Sequence, residues 1–194
     1  MPVPTVKRHE RSRTKKGRWR KIRSDKGMKR NNSKNRILNL GCGDMNYGTH
    51  RVDIHKTKTT THVFDVEEGI KFPDNFFDEV YEKTLLEHLR NPGYHFEEIF
   101  RVLKPEGKLT LITDYAGCSR YYLLGTHEGR YEKKHKDNLD DRHYCIFTRS
   151  HIRNHLEKTG FKILSVEFVE TERVTKFLDK MLRVKPRIEA VAIK

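Results

Sequence analysis

The sequence predicts an α/β domain built on a parallel β-sheet and preceded by a strongly basic segment. Short apolar runs alternate with segments in which apolar residues recur every three or four positions. This alternation of strands and helices is typical of parallel α/β sheets. The composition also changes abruptly after Arg36, which divides the chain into a basic arm at residues 1–36 and a folded domain at residues 37–194.

Seven apolar runs bounded by turn residues predict the strands of this sheet. The first run ends in a glycine turn, and the next two end near acidic residues. The predicted strands are 37–40, 51–54, 62–65, 77–81, 108–113, 161–169 and 188–193.

Periodic apolar residues and end signals predict three helices. Asn91 and Pro92 mark the start of the first helix, whose apolar face carries Phe96, Ile99, Phe100 and Leu103. The second has Thr148 as its N-cap and Gly160 as its stop, and the third covers residues 174–182. Residues 115–144 lack clean periodicity and are expected to form a functional loop.

Almost all of the net charge of +14 lies in the basic arm. Residues 1–36 hold 15 basic and two acidic residues, whereas the rest of the chain holds 26 basic and 25 acidic residues. Such clustering predicts an acidic partner, with nucleic acid as the first candidate, although an arm that only solubilises the protein is the alternative. The single tryptophan, Trp19, could stack on a base or anchor the arm to the domain.

The cysteine pattern and the hydropathy of the chain indicate its cellular compartment. Cys42, Cys118 and Cys145 are scattered without paired spacing, which favours a reducing, cytoplasmic setting. Since no run of 18 apolar residues is present, no membrane span is expected.

The glycine turn and two acids predict a ligand site at one edge of the sheet. Gly41 and Gly43 follow the first strand, where the absence of side chains lets a ligand approach the backbone. Asn46 occupies the position of the third glycine in the dinucleotide fingerprint, which disfavours a nicotinamide or nucleotide-sugar enzyme. Asp53 and Asp65 end the second and third strands, where they suit a ribose and an amino group, although each could instead be a helix cap or a solvated loop acid.

Several ordered motifs resemble class I S-adenosylmethionine-dependent methyltransferases, a Rossmann-like family. The similarity extends strongly over residues 37–114 and more loosely over residues 147–161. Its motifs are Leu38-Asn39-Leu40-Gly41-Cys42-Gly43, Val52-Asp53-Ile54, Asp65-Val66-Glu67, Phe76-Phe77-Asp78-Glu79-Val80, Leu85-Leu86-Glu87-His88-Leu89 and Val102-Leu103-Lys104-Pro105-Glu106-Gly107.

This resemblance implies a three-layer sheet of seven strands whose last strand is antiparallel, and S-adenosylmethionine as cofactor. It implies that the Gly41-Cys42-Gly43 turn faces the methionine part of the cofactor and that Asp53, followed by Ile54, binds the ribose. The resemblance places Asp65 at the adenine amino group, Val66 on the adenine ring and Glu82 near the transferred methyl.

One departure from the family is the short connection between the first two strands, which we call the first crossover. Only the nine residues 44–52 separate Gly43 from Asp53, too few for the usual helix, which needs about ten residues with its turns. The chain therefore resembles a compact subgroup, and it lacks the helix N-terminus that helps to hold the cofactor carboxylate.

His88 and His143 are the candidate catalytic bases, with Glu87 as a companion, although His88 could be purely structural. The spacing of His127, His135, His143 and Cys145 matches no common zinc pattern, so no metal site is expected. The sequence lacks the signatures of enzymes that methylate nucleic-acid bases, so the acceptor is expected to be an unidentified oxygen or nitrogen nucleophile. The main rival hypothesis is a non-catalytic nucleic-acid-binding protein on the same scaffold.

The acceptor side of the pocket is expected in the loop 115–147, where several tyrosines are available. These tyrosines are Tyr115, Tyr121, Tyr122 and Tyr131.

Overall fold

The computed structural model describes residues 35–117, 142–169 and 187–194. Almost all of the predicted basic arm, the predicted helix 174–182 and most of the predicted acceptor loop lie outside the described residues. So do Cys118, Tyr121, Tyr122, His127, Tyr131 and His135.

Seven strands form one sheet in the order β3-β2-β1-β4-β5-β7-β6. Strands β1 to β5 pair in parallel, whereas β7 lies antiparallel to both β5 and β6. The predicted seven-stranded sheet with an antiparallel last strand is therefore confirmed. The strands are β1 Ile37–Leu40, β2 His50–Asp53, β3 His62–Val63, β4 Phe77–Lys83, β5 Leu103–Asp114, β6 Lys162–Val169 and β7 Arg187–Ile193.

Both described α-helices begin at their predicted caps, but the first ends before Leu103, which was predicted to lie on its apolar face and instead begins β5. The Asn91 side chain caps α1 (Pro92–Val102) by accepting a hydrogen bond from the amide of Tyr94. Thr148 caps α2 (Arg149–Thr159), which ends at Gly160 in the left-handed conformation with φ of 103°. Two short 3-10 helices, Val66–Glu68 and Leu86–His88, follow β3 and β4 at the carboxyl edge of the sheet.

The hydrophobic core lies on one face of the sheet. Successive strand side chains point to opposite faces, and the alternate residues that are 0 to 1% exposed all share the face covered by α1 and α2. These residues are Leu38, Leu40, Val52, Val80, Leu109, Leu111, Ile188, Ala190 and Ala192. The described residues thus supply two of the three predicted layers.

The opposite face lacks a helix in the described part of the chain because both crossovers that would cover it are short. Residues 41–49, between β1 and β2, and residues 54–61, between β2 and β3, form only turns and bends. No helix among the described residues is long and apolar enough to cross a membrane.

Candidate functional site

The glycine turn after β1 is held by contacts from distant residues. Gly41 has a φ of 61°, and a Cβ at this position would lie 3.0 Å from the Cβ of Leu85, so a side chain is excluded there. The carbonyl oxygen of Gly43 accepts hydrogen bonds from the hydroxyls of Thr57 and Thr59 at 2.7 and 2.8 Å. These threonines were not predicted, although their run of hydroxyl residues is visible in the sequence.

Cys42 lies beneath this turn and is 4% exposed. Its thiol lies 3.8 Å from the Thr60 hydroxyl, and burial raises the pKa of the thiol. The side chain therefore packs in the interior, and only the backbone of Cys42 belongs to the surface of the turn.

Asp53, at the end of β2, is tied to the same turn. Its Oδ2 accepts a hydrogen bond from the amide of Gly43 at 2.8 Å, and its Oδ1 accepts one from the amide of His55 at 3.0 Å. Each carboxylate oxygen can accept more than one hydrogen bond, so Asp53 can still receive ligand hydroxyls. Ile54 beside it is 41% exposed.

Asp65 caps a helix, which was one of the two alternatives to a ligand-binding role, and it also faces the site. Its Oδ1 accepts a hydrogen bond of 2.8 Å from the amide of Glu67 and so caps the 3-10 helix Val66–Glu68. Val66 is 6% exposed. Both residues line the same cavity as Asp53, so capping and ligand contact are compatible.

These elements enclose a cavity of about 250 Å³ at the carboxyl ends of β1, β2 and β4. Its wall combines three carboxylates with a largely apolar surface, an arrangement typical of ligand pockets. It is lined by Gly41, Asp53, Ile54, Phe64, Asp65, Val66, Glu67, Leu85, His88, Leu89, Arg90 and Tyr144.

An ion pair that the sequence analysis missed closes one side of the cavity. The Glu67 carboxylate accepts hydrogen bonds from the Arg90 amide at 2.5 Å and from Arg90 Nε at 2.8 Å. This pair joins the 3-10 helix after β3 to the segment after β4. No local pattern indicates it, because the two residues are separated by 22 others.

His88 lines the cavity, and His143 contacts its ring without lining the cavity itself. Their ring centroids are 4.7 Å apart and their planes are nearly perpendicular. His88 Nδ1 lies 3.1 Å from the carbonyl oxygen of Arg142. Because a carbonyl can only accept, Nδ1 carries the proton in this contact and the lone pair of the neutral ring lies on Nε2.

Glu87 is buried directly behind this histidine pair. Two effects raise the pKa of Glu87 from 4.5 to about 8: the larger is burial, and the smaller is the negative charge of Asp114. The carboxyl is therefore largely protonated at neutral pH. Its Oε2 accepts a hydrogen bond from the Thr113 hydroxyl at 2.8 Å. Its backbone carbonyl accepts hydrogen bonds from the amides of Tyr144 and Cys145, which hold the returning segment against the cavity.

Glu87, His88 and His143 also offer ligand atoms that lie within 4.8 Å of one another. This spacing is compatible with a cation, although the buried carboxyl is engaged with Thr113. The expectation of a protein without a metal stays a prediction.

The structure does not place Glu82 at the cavity, contrary to the expectation that it lies near the transferred methyl. Glu82 is 0% exposed, and its Oε2 lies 2.5 Å from Nε2 of His95 in α1. It shares the covered face of the sheet with Val80, two positions earlier. Glu82 therefore links β4 to α1 beneath the site.

Comparisons with known proteins agree with this geometry. Residues 8–166 match the sequence profile of a family described as a methyltransferase domain. Phosphoethanolamine N-methyltransferase 2 of Caenorhabditis elegans is 27% identical over 139 residues, which cover 70% of this chain and 28% of that protein. The chain therefore spans little more than a quarter of the length of this curated relative.

Two solved structures have the same fold. An S-adenosylmethionine-dependent methyltransferase from Mesorhizobium loti is 19% identical with a TM-score of 0.59, covering 82% of this chain and 91% of the other. Phosphoethanolamine N-methyltransferase 2 of Haemonchus contortus, solved with S-adenosyl-L-methionine, is 19% identical with a TM-score of 0.56, covering 82% of this chain and 48% of the other.

Proposed function

This chain belongs to the methyltransferase-domain family, with S-adenosylmethionine as its cofactor, and from that premise we propose where the cofactor and the methyl acceptor bind. The cavity beside Gly41, Asp53 and Asp65 holds the cofactor, and the side lined by His88, which His143 contacts, receives the acceptor. The single observation that carries this proposal is that Gly41 of the glycine turn and the carboxylates of Asp53 and Asp65 line one cavity.

The lining residues fit an adenosine-containing ligand. Asp53 accepts hydrogen bonds from the ribose hydroxyls, and Asp65 accepts one from the adenine amino group. Ile54 and Val66 offer apolar surface to the ring, and the half-buried backbone of the Gly41–Gly43 turn faces the methionine part. When bound, S-adenosylmethionine supplies an electrophilic methyl group on a sulfonium.

We assign the role of general base to His88. His88 donates its Nδ1 proton to the carbonyl oxygen of Arg142. The lone pair that can accept a proton therefore lies on Nε2. His88 accepts the proton that an oxygen or nitrogen acceptor loses, and His143 orients the His88 ring through their perpendicular contact. The backbone carbonyl of Glu87 holds Tyr144 and Cys145 in place next to this pair.

An amine is the acceptor class to test first. The C. elegans and H. contortus proteins named above are called phosphoethanolamine N-methyltransferases. The carboxylates of Asp53, Asp65 and Glu67 line the cavity, whereas Arg90 is its lining cation. This excess of negative charge favours an acceptor that arrives as a cation.

The basic arm at residues 1–36 provides a second binding activity, for nucleic acid. Its net charge of +13 favours polyanions, and it lies almost entirely outside the described residues. Family membership favours an enzyme with such an arm over a non-catalytic binding protein. The acceptor need not be nucleic acid.

Calorimetric titration of the full chain with S-adenosylmethionine and S-adenosylhomocysteine tests the cofactor site. We expect micromolar binding of at least one, about −8 kcal/mol, and clearly weaker binding in Asp53→Ala. Transfer of labelled methyl to a panel of amines and hydroxyl compounds then identifies the acceptor. Wild-type affinity in Asp53→Ala would show that the cofactor binds elsewhere.

A further inference from the structure

The glycine turn of the proposed cofactor site lacks the support that a helix in the first crossover would supply. Residues 41–49, between β1 and β2, form only turns and bends. Gly43 has a φ of 50°, and a Cβ built there would meet no described atom within 4 Å beyond its chain neighbours. Because glycine loses more conformational freedom on folding than any other residue, the turn needs contacts from elsewhere to keep one conformation.

Those contacts hold both backbone polar groups of Gly43. Its amide donates to Asp53 Oδ2 at 2.8 Å, which ties the turn to the end of β2. Its carbonyl oxygen accepts hydrogen bonds from the hydroxyls of Thr57 and Thr59 at 2.7 and 2.8 Å. Since a carbonyl oxygen has two lone pairs, it can accept both bonds at once. The peptide groups on the two sides of Gly43 are therefore both fixed in orientation.

A third hydroxyl, that of Thr60, holds the first two in place. Each threonine hydroxyl has one proton to donate, and those of Thr57 and Thr59 go to Gly43. The 2.8 Å contact between the hydroxyl oxygens of Thr57 and Thr60 is therefore donated by Thr60. Thr60 is only 5% exposed, and its oxygen also accepts a hydrogen bond from the Thr57 amide at 3.2 Å. We call Thr57, Thr59 and Thr60 the threonine clasp.

Arg51 of β2 fixes the loop that carries the clasp. Its Nη1 donates to the carbonyl oxygen of Gly48 at 2.7 Å, and its Nε donates to the carbonyl oxygen of Thr59. Hydrogen bonds from a charged group are stronger than those between neutral groups. One side chain thus joins the connection before β2 to the connection after it, which holds the clasp next to the glycine turn.

We propose that the threonine clasp takes the place of the first-crossover helix as the element that positions the glycine turn for the cofactor. Its three members are positioning residues, because they act through the Gly43 carbonyl on a turn whose Gly41 lines the cavity. A helix would present its N-terminus to the ligand, whereas the clasp fixes the backbone of the turn itself. This inference rests on the proposed cofactor site.

The affinity of the full chain for S-adenosylmethionine and S-adenosylhomocysteine tests the clasp. The double variant Thr57→Val with Thr59→Val keeps the shape of both side chains and removes both hydroxyls. It should bind roughly 10-fold or more weakly than the wild type, because the Gly43 carbonyl loses two hydrogen-bond donors. Thr57→Ser with Thr59→Ser keeps both hydroxyls and should retain most of the affinity. Isothermal titration calorimetry is performed at a temperature at which circular dichroism shows every variant to be folded.

Thr159→Val is the matched control. The Thr159 hydroxyl donates to the carbonyl oxygen of His155 at 2.8 Å in α2, so this change removes the same kind of bond from a residue that does not line the cavity. The control should bind like the wild type even if its urea unfolding midpoint falls. A clasp that only stabilised the fold would behave in the same way, with a lower midpoint and unchanged affinity, and that result would overturn the proposal.

Asp53→Ala separates this inference from the proposed cofactor site. If Asp53→Ala binds weakly while the double valine variant binds like the wild type, the site stands and the clasp is overturned. Wild-type affinity in Asp53→Ala, or no binding by the wild type, overturns both. If the double variant does not fold, Thr59→Val alone carries the test with Thr59→Ser as its rescue, since it leaves Thr57 and Thr60 in contact.

Discussion

The backbone amide of Gly43 donates a 2.8 Å hydrogen bond to Oδ2 of Asp53, which makes the glycine turn and the acid at the end of β2 one unit. In this chain only nine residues separate the two positions, without a helix between them. The carboxylate thus shapes the turn as well as facing the cavity. Changes at Asp53 should therefore affect both parts of the proposed cofactor site.

Asp53→Ala should weaken S-adenosylmethionine binding by roughly 10- to 100-fold. The variant loses the hydrogen bonds that the charged Asp53 carboxylate accepts, which are worth about 1.5–3 kcal/mol each. It also loses the contact that holds the glycine turn against β2. Isothermal titration calorimetry measures the change. Asp44→Ala removes a neighbouring exposed acid that does not line the cavity and should bind like the wild type; an equal loss in both variants would contradict a specific role for Asp53.

His88→Gln should lower kcat by about 100-fold or more, because general bases typically contribute a factor of this size. The KM for S-adenosylmethionine should change little, since His88 acts on the acceptor. Steady-state kinetics with the identified acceptor separate the two constants. His55→Gln alters an exposed histidine outside the cavity lining and serves as the control, and an unaltered kcat in His88→Gln would assign His88 a structural role.

The buried Glu87 should make the wild-type protein lose stability as the pH rises from about 4.5 to about 8. Its pKa is 4.5 ordinarily and about 8 in the folded chain, so the folded state binds the proton more tightly across that window. Glu87→Gln keeps an acceptor for Thr113 but cannot ionise, and its unfolding free energy should decline less over the same range. The difference should be on the order of a few kcal/mol.

Urea unfolding at several pH values measures this effect. Glu157→Gln, an exposed change on α2, should follow the wild-type curve. Parallel pH dependence of Glu87→Gln and the wild type would show that the Glu87 carboxyl is already ionised in the folded protein.

The Glu82–His95 pair should be worth more to folding than exposed ion pairs. The two side chains are 0% and 2% exposed, and each has one buried polar atom without a partner among the described residues. Removing one partner by Glu82→Leu should cost about 3–5 kcal/mol, whereas the double change Glu82→Leu with His95→Leu should recover part of that loss. Disrupting the exposed Lys71–Glu68 pair should cost about 1 kcal/mol or less.

Neutralising the arm should weaken nucleic-acid binding and flatten its salt dependence. Replacing Lys15, Lys16, Arg18, Arg20 and Lys21 by glutamine removes five charges around Trp19. Each lost phosphate contact should reduce the slope of log K against log salt by about 0.9 on duplex DNA. Fluorescence anisotropy at several salt concentrations gives the slope, and the same five-residue neutralisation should leave S-adenosylmethionine affinity unchanged.

The starts of both described helices and the position of each strand could be predicted from the sequence because their signals are local, whereas β5 begins five residues earlier and β3 ends two residues earlier than predicted. Asn91, Thr148 and Gly160 cap helices through backbone groups a few residues away. Asp53 and Asp65 were proposed as site residues for a similar reason, since an acid at or just after the end of a strand is recognisable without its neighbours.

The sequence by itself determined this protein's parallel α/β class, its seven strands, the N-caps of its two described helices and its concentration of charge in residues 1–36. Only the tertiary structure decided that Glu82 faces α1, that Glu87 is protonated and that Arg90 pairs with Glu67. Those properties depend on which strand faces which helix and on how deeply a carboxyl is buried. Both are set by contacts between residues that are far apart in the chain.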